Sequence, residues 1–442
     1  MSQSNENTTL ARRLGLFDAT MIVMGGIIGS GIFMNPQVVA LEVHTPFLIL
    51  GAWTIGGLFA LAAAFIWAEL AAVRPDVGGQ YAYLREAFHP AVAFLYGWVL
   101  LLVIQTGGMA AVAVTFSRYF VELTGLPLGY SQLAALVLAV LTIVNCLGVR
   151  AGSTVQSVLM VLKILAIVSL VACGLLFGAR VNDSTGWLDR PASFDLLTSF
   201  GAVLVPVIFA YGGWQTATFV AGEIKEPRRN LPRGLILGVT GVVLLYLAAN
   251  VLYLVVLGTS GLAASAAPAS DVMRRALGEA GARAIAAGIA ISTVGFLSQS
   301  MLTAPRVYYA MAQDGLFFKS VGTVHPRTRA PIVAIALQGV LAIVIAILGT
   351  YKDILDYVVS VDVIFFGLTA CCIFVFRKRE PRDAAGVVRV PGHPLTTILF
   401  IAICWAVAVN TVYHAPRNTL SGLAILLAGL PAYWFWRTRR AN

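Results

Sequence analysis

The chain of 442 residues is 59% hydrophobic and 11% charged, with a mean hydropathy of +0.86, which excludes a soluble domain or a disordered chain. Apolar runs of about 20 residues recur along it, as in a polytopic helical membrane protein surrounded by lipid, and the alternation of a transmembrane barrel is absent. Its formal charge of +10 comes from basic residues concentrated on alternate inter-span segments, which reports orientation and not a nucleic acid partner.

Residues 1–14 read as a cytoplasmic tail ending near Arg12-Arg13, without the pattern of a cleavable signal peptide. The first span, Gly15 to Ala40, carries Gly25-Gly26-Ile27-Ile28-Gly29-Ser30-Gly31-Ile32-Phe33. Glycine costs about 1 kcal/mol in a helix interior, so the helix is expected to break near Gly29-Ser30-Gly31. A stripe for close helix packing is the plainer reading. The other is an unwound segment whose freed amides and carbonyls bind a small zwitterion. Pro46 to Val73 forms the second span, and the Gly78-Gly79-Gln80-Tyr81 stretch an inner interfacial segment. Spans three to five cover Val92 to Leu123, with Gln105-Thr106-Gly107-Gly108 near its middle, Gln132 to Leu147, and Thr154 to Phe177, which contains Lys163. A polar outer loop, Arg180 to Asp195, closes the first half.

The sixth span, Leu196 to Ala221, has its own interruption at Phe209-Ala210-Tyr211-Gly212-Gly213-Trp214, followed by a basic inner loop, Glu223 to Arg233. Six more spans are expected: one ending at Leu257, then Ala284 to Ala312, Pro331 to Leu348, Ile354 to Phe376, Leu395 to Val412 and Leu420 to Trp436, with a short surface helix around Arg274-Arg275. That makes twelve, with both termini inside. The two interruptions lie five spans apart, an odd number, so the halves 15–195 and 196–394 enter the membrane in opposite senses and 395–442 is appended. Broken helices at corresponding positions of inverted halves point to a transporter binding site.

In that site the amides of Gly29, Ser30 and Gly31 would hold a carboxylate at a helix N-terminus. Carbonyls of Ile27, Phe209 and Ala210 would accept from an ammonium, with Gly212 completing the second interruption. Phe209 and Trp214 are either core aromatics or lids, and Gly108 either eases packing or makes room for a side chain. Lys163 is too deep to reach water easily; it is either a structural pairing or an ammonium bonded to carbonyls freed by the first break, standing where sodium would sit. Asp362 is an intramembrane acid without an evident partner and, after Lys163, the second candidate for carrying a proton. Phosphate-loop, zinc-protease and serine-elbow motifs are absent. The five histidines and five cysteines show no metal or disulfide spacing. An enzyme, a cofactor and a metal are not expected.

Four motifs together, Gly26-Ile27-Ile28-Gly29-Ser30-Gly31-Ile32-Phe33, Gly78 to Leu84, Phe209 to Trp214, and Glu223 to Pro232, resemble the amino acid–polyamine–organocation superfamily, most closely its L-type amino acid transporter branch. The likeness covers nearly the whole chain. It implies a LeuT-type fold of five plus five inverted helices with two more at the end, working by alternating access. It also implies a plasma-membrane location, substrate held by the first-span motif, gating by Phe209, and sodium-independent transport accompanied by Lys163. The family's usual mode is obligatory exchange, here of neutral L-amino acids; related branches with a similar lysine are proton symporters. Gln215 stands where the mammalian heterodimeric members have Asn, which bears on side-chain selectivity. The stretch Gly125 to Tyr130 lacks the cysteine that links those members to a heavy chain, so no accessory subunit is expected.

Overall fold

The computed structural model describes residues 14–75, 78–147, 153–179, 186, 194–325, 330–379 and 388–441. Arg12-Arg13, Asp76-Val77 and the outer loop from Arg180 to Ser193, Gly186 apart, lie outside the described residues. Every regular element among the described residues is helical, and an isolated parallel bridge joins Leu14 to Ile224.

In chain order the helices begin with α1 (Leu16–Ile27), α2 (Gly31–Val43), α3 (Pro46–Val73), α4 (Gln80–Ala87) and α5 (Pro90–Val99). A π-helical turn, Leu100–Ile104, joins α5 to α6 (Gln105–Thr124), and then come α7 (Tyr130–Cys146), α8 (Ser153–Phe177), α9 (Phe194–Tyr211) and α10 (Thr216–Phe219). The remainder are α11 (Pro227–Ala264), α12 (Pro268–Thr303), α13 (Pro305–Gln313), α14 (Ile332–Leu348), α15 (Tyr351–Arg379), α16 (Leu395–His414) and α17 (Pro416–Ala441). Among the described residues nine helical stretches are long and apolar enough to cross a membrane, beside three shorter apolar helices, Tyr130–Cys146, Thr198–Tyr211 and Ile332–Leu348.

Prolines set many of the boundaries. Six of these helices begin on a proline, a residue whose missing N–H would be unpaired at a helix start in any case. Pro305 divides the continuous span expected over Ala284 to Ala312 into α12 and α13. The segment around Arg274-Arg275 is the first part of α12, which kinks at Gly278 with φ of 69°. Inside α2, Pro36 cannot donate to the Ile32 carbonyl, and the Tyr253 hydroxyl of α11 donates to it instead at 3.4 Å.

In the most apolar part of Pro90–Thr124, 89% of the residues are buried, against 28% in that of Leu159–Phe177 and 22% in that of Pro416–Arg439. The α5–α6 rod is therefore the central post, while α8 and α17 present Leu165, Leu176, Leu427 and Trp434 outward, as lipid-facing helices do. Around the post α3 packs on α11, α8 on α12, α1 on α11, and α2 on α9. These pairings bring the ends of α1, α2, α9 and α10 together in the interior.

Candidate substrate site

Between α1 and α2 the helix unwinds over Ile28 to Ser30; Ile28 has φ −72° and ψ 89°, outside the helical region. A helix end leaves its last carbonyls unanswered, and here side chains from distant elements answer most of them. The Lys163 ammonium, 1% exposed on α8, donates to Gly25 O at 3.2 Å and to Ile28 O at 3.0 Å. The Tyr246 hydroxyl of α11 donates to Ile27 O at 3.3 Å. Among the described residues, the Gly26 carbonyl receives no donor, and the amides of Gly29, Ser30 and Gly31 find no protein acceptor. The outer half-helix is also held at a distance: Tyr119 donates to Phe33 O at 3.1 Å, and Tyr351 donates to Asn35 Oδ1 at 2.9 Å and reaches Ser30 Oγ at 3.4 Å.

At the second break α9 stops at Tyr211, and Gly213 adopts φ +112°, a left-handed conformation that glycine supplies without strain. This break satisfies itself locally. Gly212 N donates to Ile208 O at 2.8 Å, Gly213 N to Gln215 Oε1 at 3.0 Å, and Thr216 Oγ1 to Gly213 O at 2.8 Å. The two breaks meet on either side of a hollow. A Cβ on Gly213 would stand 2.0 Å from Gly26 O, and one on Gly31 2.4 Å from Ala210 Cα, so neither approach tolerates a side chain.

The hollow has a volume of about 70 Å³. Gly26, Ile27, Gly29, Ser30 and Gly31 line it from the first break, and Ile208, Phe209, Gly212, Gly213, Gln215 and Thr216 from the second. Ile104, Gln105, Gly108 and Val112 face it from the central post, at and just after the end of the π-helical turn that sets their register. A Cβ on Gly108 would meet nothing within 4 Å, so this glycine leaves open room. Phe296 of α12 and Val358, Val359, Asp362 and Phe366 of α15 close the wall.

Three of the expected site residues do not line the hollow. Ala210 packs on Gly31, so its carbonyl is a poor candidate for the ammonium and Gly26 O is the better one. Trp214 is turned into an aromatic cluster, with ring centroids 5.0 Å from Phe366, 6.0 Å from Trp67 and 6.3 Å from Phe59, so it packs the core and does not cover the hollow. Lys163 lies behind Phe296, whose ring is 5.6 Å from Nζ, and acts on the break from its far side. Phe296, Val112, Val358 and Thr216 were not expected. Only the i, i+4, i+8 spacing of Val358, Asp362 and Phe366 signals one of these faces in sequence.

One end of the bundle is tied by polar contacts. Leu14 N donates to Glu223 O at 3.0 Å and Lys225 N to Leu14 O at 2.8 Å, while Arg306 pairs with Glu223 at 2.6 Å. Beside them Tyr81 donates to Asp314 at 2.7 Å and Arg85 at 2.6 Å. At the opposite end Lys352 meets Glu42 at 3.3 Å. Among the described residues no cluster of His, Cys, Asp or Glu is arranged to hold a metal.

Comparison with known proteins agrees with a membrane transporter. The chain is 30% identical over 449 residues to the serine/threonine exchanger of Bacillus subtilis, covering 99% of both. It is 31% identical to the human b(0,+)-type amino acid transporter 1, over 98% of this chain and 90% of that one. To the human large neutral amino acids transporter small subunit 2 it is 29% identical, over 97% and 81%. The sequence profile described as amino acid permease matches residues 14–433. A multi-pass helical chain with two interrupted helices around a hollow, matched over nearly its full length, is a transporter and not an enzyme: it belongs to the amino acid permease family, in the L-type branch of the amino acid–polyamine–organocation superfamily.

Proposed function

We propose that this chain exchanges neutral L-amino acids across the plasma membrane, without sodium, by alternating access of the hollow between the two breaks. The observation that carries this reading is the set of three amides at Gly29, Ser30 and Gly31, lining the hollow at the N-terminus of α2 without a protein acceptor. They suit a carboxylate. The unanswered Gly26 carbonyl, with the remaining lone pair of Ile27 O, suits the ammonium. In this reading Lys163 takes the place of a sodium ion, Phe209 opens and closes the hollow, and Gln215, Gly108 and Phe296 set which side chains fit.

Nine long and three shorter apolar helices are read as twelve spans, in inverted halves 15–195 and 196–394 with 395–442 appended. Both termini are assigned to the cytoplasm on the basic residues near that end. The mammalian relative named a small subunit implies a larger partner for that protein. Here the stretch Gly125 to Tyr130 has no cysteine to tether one, and the chain is read as working alone.

Ser30→Pro tests the head-group site. Ser30 has φ −77°, which proline adopts, so the variant is expected to fold while losing one amide. A charge-assisted hydrogen bond contributes about 1.5–3 kcal/mol, so amino acid affinity should fall about tenfold or more. Counterflow in proteoliposomes with sodium removed reads this, alongside membrane yield; unchanged affinity would remove the assignment. Uptake that needs only a pH gradient, with no amino acid inside, would favour proton symport over exchange.

A further inference from the structure

Asp362 is the carboxylate among the residues that line the hollow, and no lysine, arginine or histidine lines it. Its Oδ1 is buried and has no hydrogen-bond partner among the described residues. Val358, Asp362 and Phe366 recur at i, i+4 and i+8 on α15 and all face the hollow. The side chain therefore belongs to the wall and not to a helix interface.

Nothing nearby supplies a counter-charge. The Tyr96 hydroxyl of α5 and the Cys404 thiol of α16 lie within electrostatic reach of it, and both are neutral groups. Charged groups on the neighbouring helices are directed elsewhere: Glu69 of α3 to Arg377 and Arg389, Arg85 of α4 to Asp314, Glu122 of α6 to Arg274, and Arg118 of α6 to the Tyr130 ring, 5.8 Å from its centroid. Lys163 is held by Gly25 O and Ile28 O behind Phe296. An ionised carboxylate left unpaired when the hollow closes and sheds water would cost several kcal/mol.

We propose that Asp362 is neutralised by a proton when the carried side chain is neutral, and by the side chain's own ammonium when the substrate is a basic amino acid. This rests on the transport reading above, in which the first break takes both the α-carboxylate and the α-ammonium and leaves Asp362 to whatever the side chain brings. A neutral substrate then crosses with a proton and a basic one without, so both loaded forms carry the same charge. Neutral-for-neutral exchange moves no net proton. Exchange of a neutral substrate outside for a basic one inside imports a proton and moves no net charge.

The test uses the full chain in proteoliposomes that hold a pH-sensitive dye and L-lysine, with L-norleucine, of similar length but uncharged, added outside. Expected are lumenal acidification by a proton per norleucine taken up, acceleration by external acid, and indifference to an imposed potassium diffusion potential; norleucine-for-norleucine exchange should show none of the acidification. Asp362→Asn should abolish the acidification and lower lysine exchange relative to norleucine about tenfold or more, and Asp362→Glu should retain both. Norleucine-for-lysine exchange that responds to the potential without acidification overturns the proposal, as does a protein that exchanges norleucine but never lysine. Failure of norleucine-for-norleucine exchange in the unmodified protein would instead sink the transport reading itself.

Discussion

The two interruptions are built from opposite logic. The first is held from far along the chain, by Lys163, Tyr246, Tyr119 and Tyr351, from four different helices. The second is held by its own residues, with Gln215 and Thr216 closing onto Gly213. A break answered by distant side chains changes whenever those helices shift, whereas a self-satisfied one travels as a unit. The first break is therefore where movement elsewhere reaches the substrate head group, and the second is a preformed corner.

The largest expected effect strikes the place where the two meet. Gly213→Ala must force a side chain into a φ of +112° and against Gly26 O; the backbone conformation alone costs about 1–3 kcal/mol. Little folded protein should be recovered from membranes by size-exclusion profile, and a normal profile would mean that the breaks do not touch. Next is Lys163→Ala, which strips the donors from two buried carbonyls at about 1–3 kcal/mol each. Transport should fall severely, and counterflow at matched protein levels checks this. Tyr246→Phe removes one 3.3 Å bond from Ile27 O, about 0.5–1.5 kcal/mol; a modest change in substrate affinity is expected, with exchange retained. The smallest is Gln215→Ala at the self-held corner. It should lower thermal stability in detergent by about 1 kcal/mol and alter the substrate panel more than the maximal rate. A Gln215 variant as damaging as Lys163→Ala would erase the distinction between the breaks.

Where the helices stop was readable because glycine clusters stand out in apolar runs, at Gly29 to Gly31 and at Gly212-Gly213. Lys163 was readable because a lone charge in such a run is conspicuous. What answers each break was not, since Lys163 and Tyr246 are 138 and 219 positions from the carbonyls they serve. Facing was hidden for a different reason: in a lipid-embedded helix both the buried and the outward side are apolar, so Val112 and Phe296 carry no mark of the hollow they line. Trp214 shows the same limit, because an aromatic ring beside a break fits a cluster of rings as well as it fits a lid. Pro305 was visible in the sequence, and its division of the expected eighth span follows from its missing N–H.

The bridge between Leu14 and the 223–225 segment fastens the entry to α1 onto the stretch that follows α10. Two rods broken at different points thus share a single lever at that end, so neither wall of the hollow swings alone. With Arg306 clamped to Glu223, the fulcrum extends to α13, and whatever releases that clamp frees both rods in the same stroke.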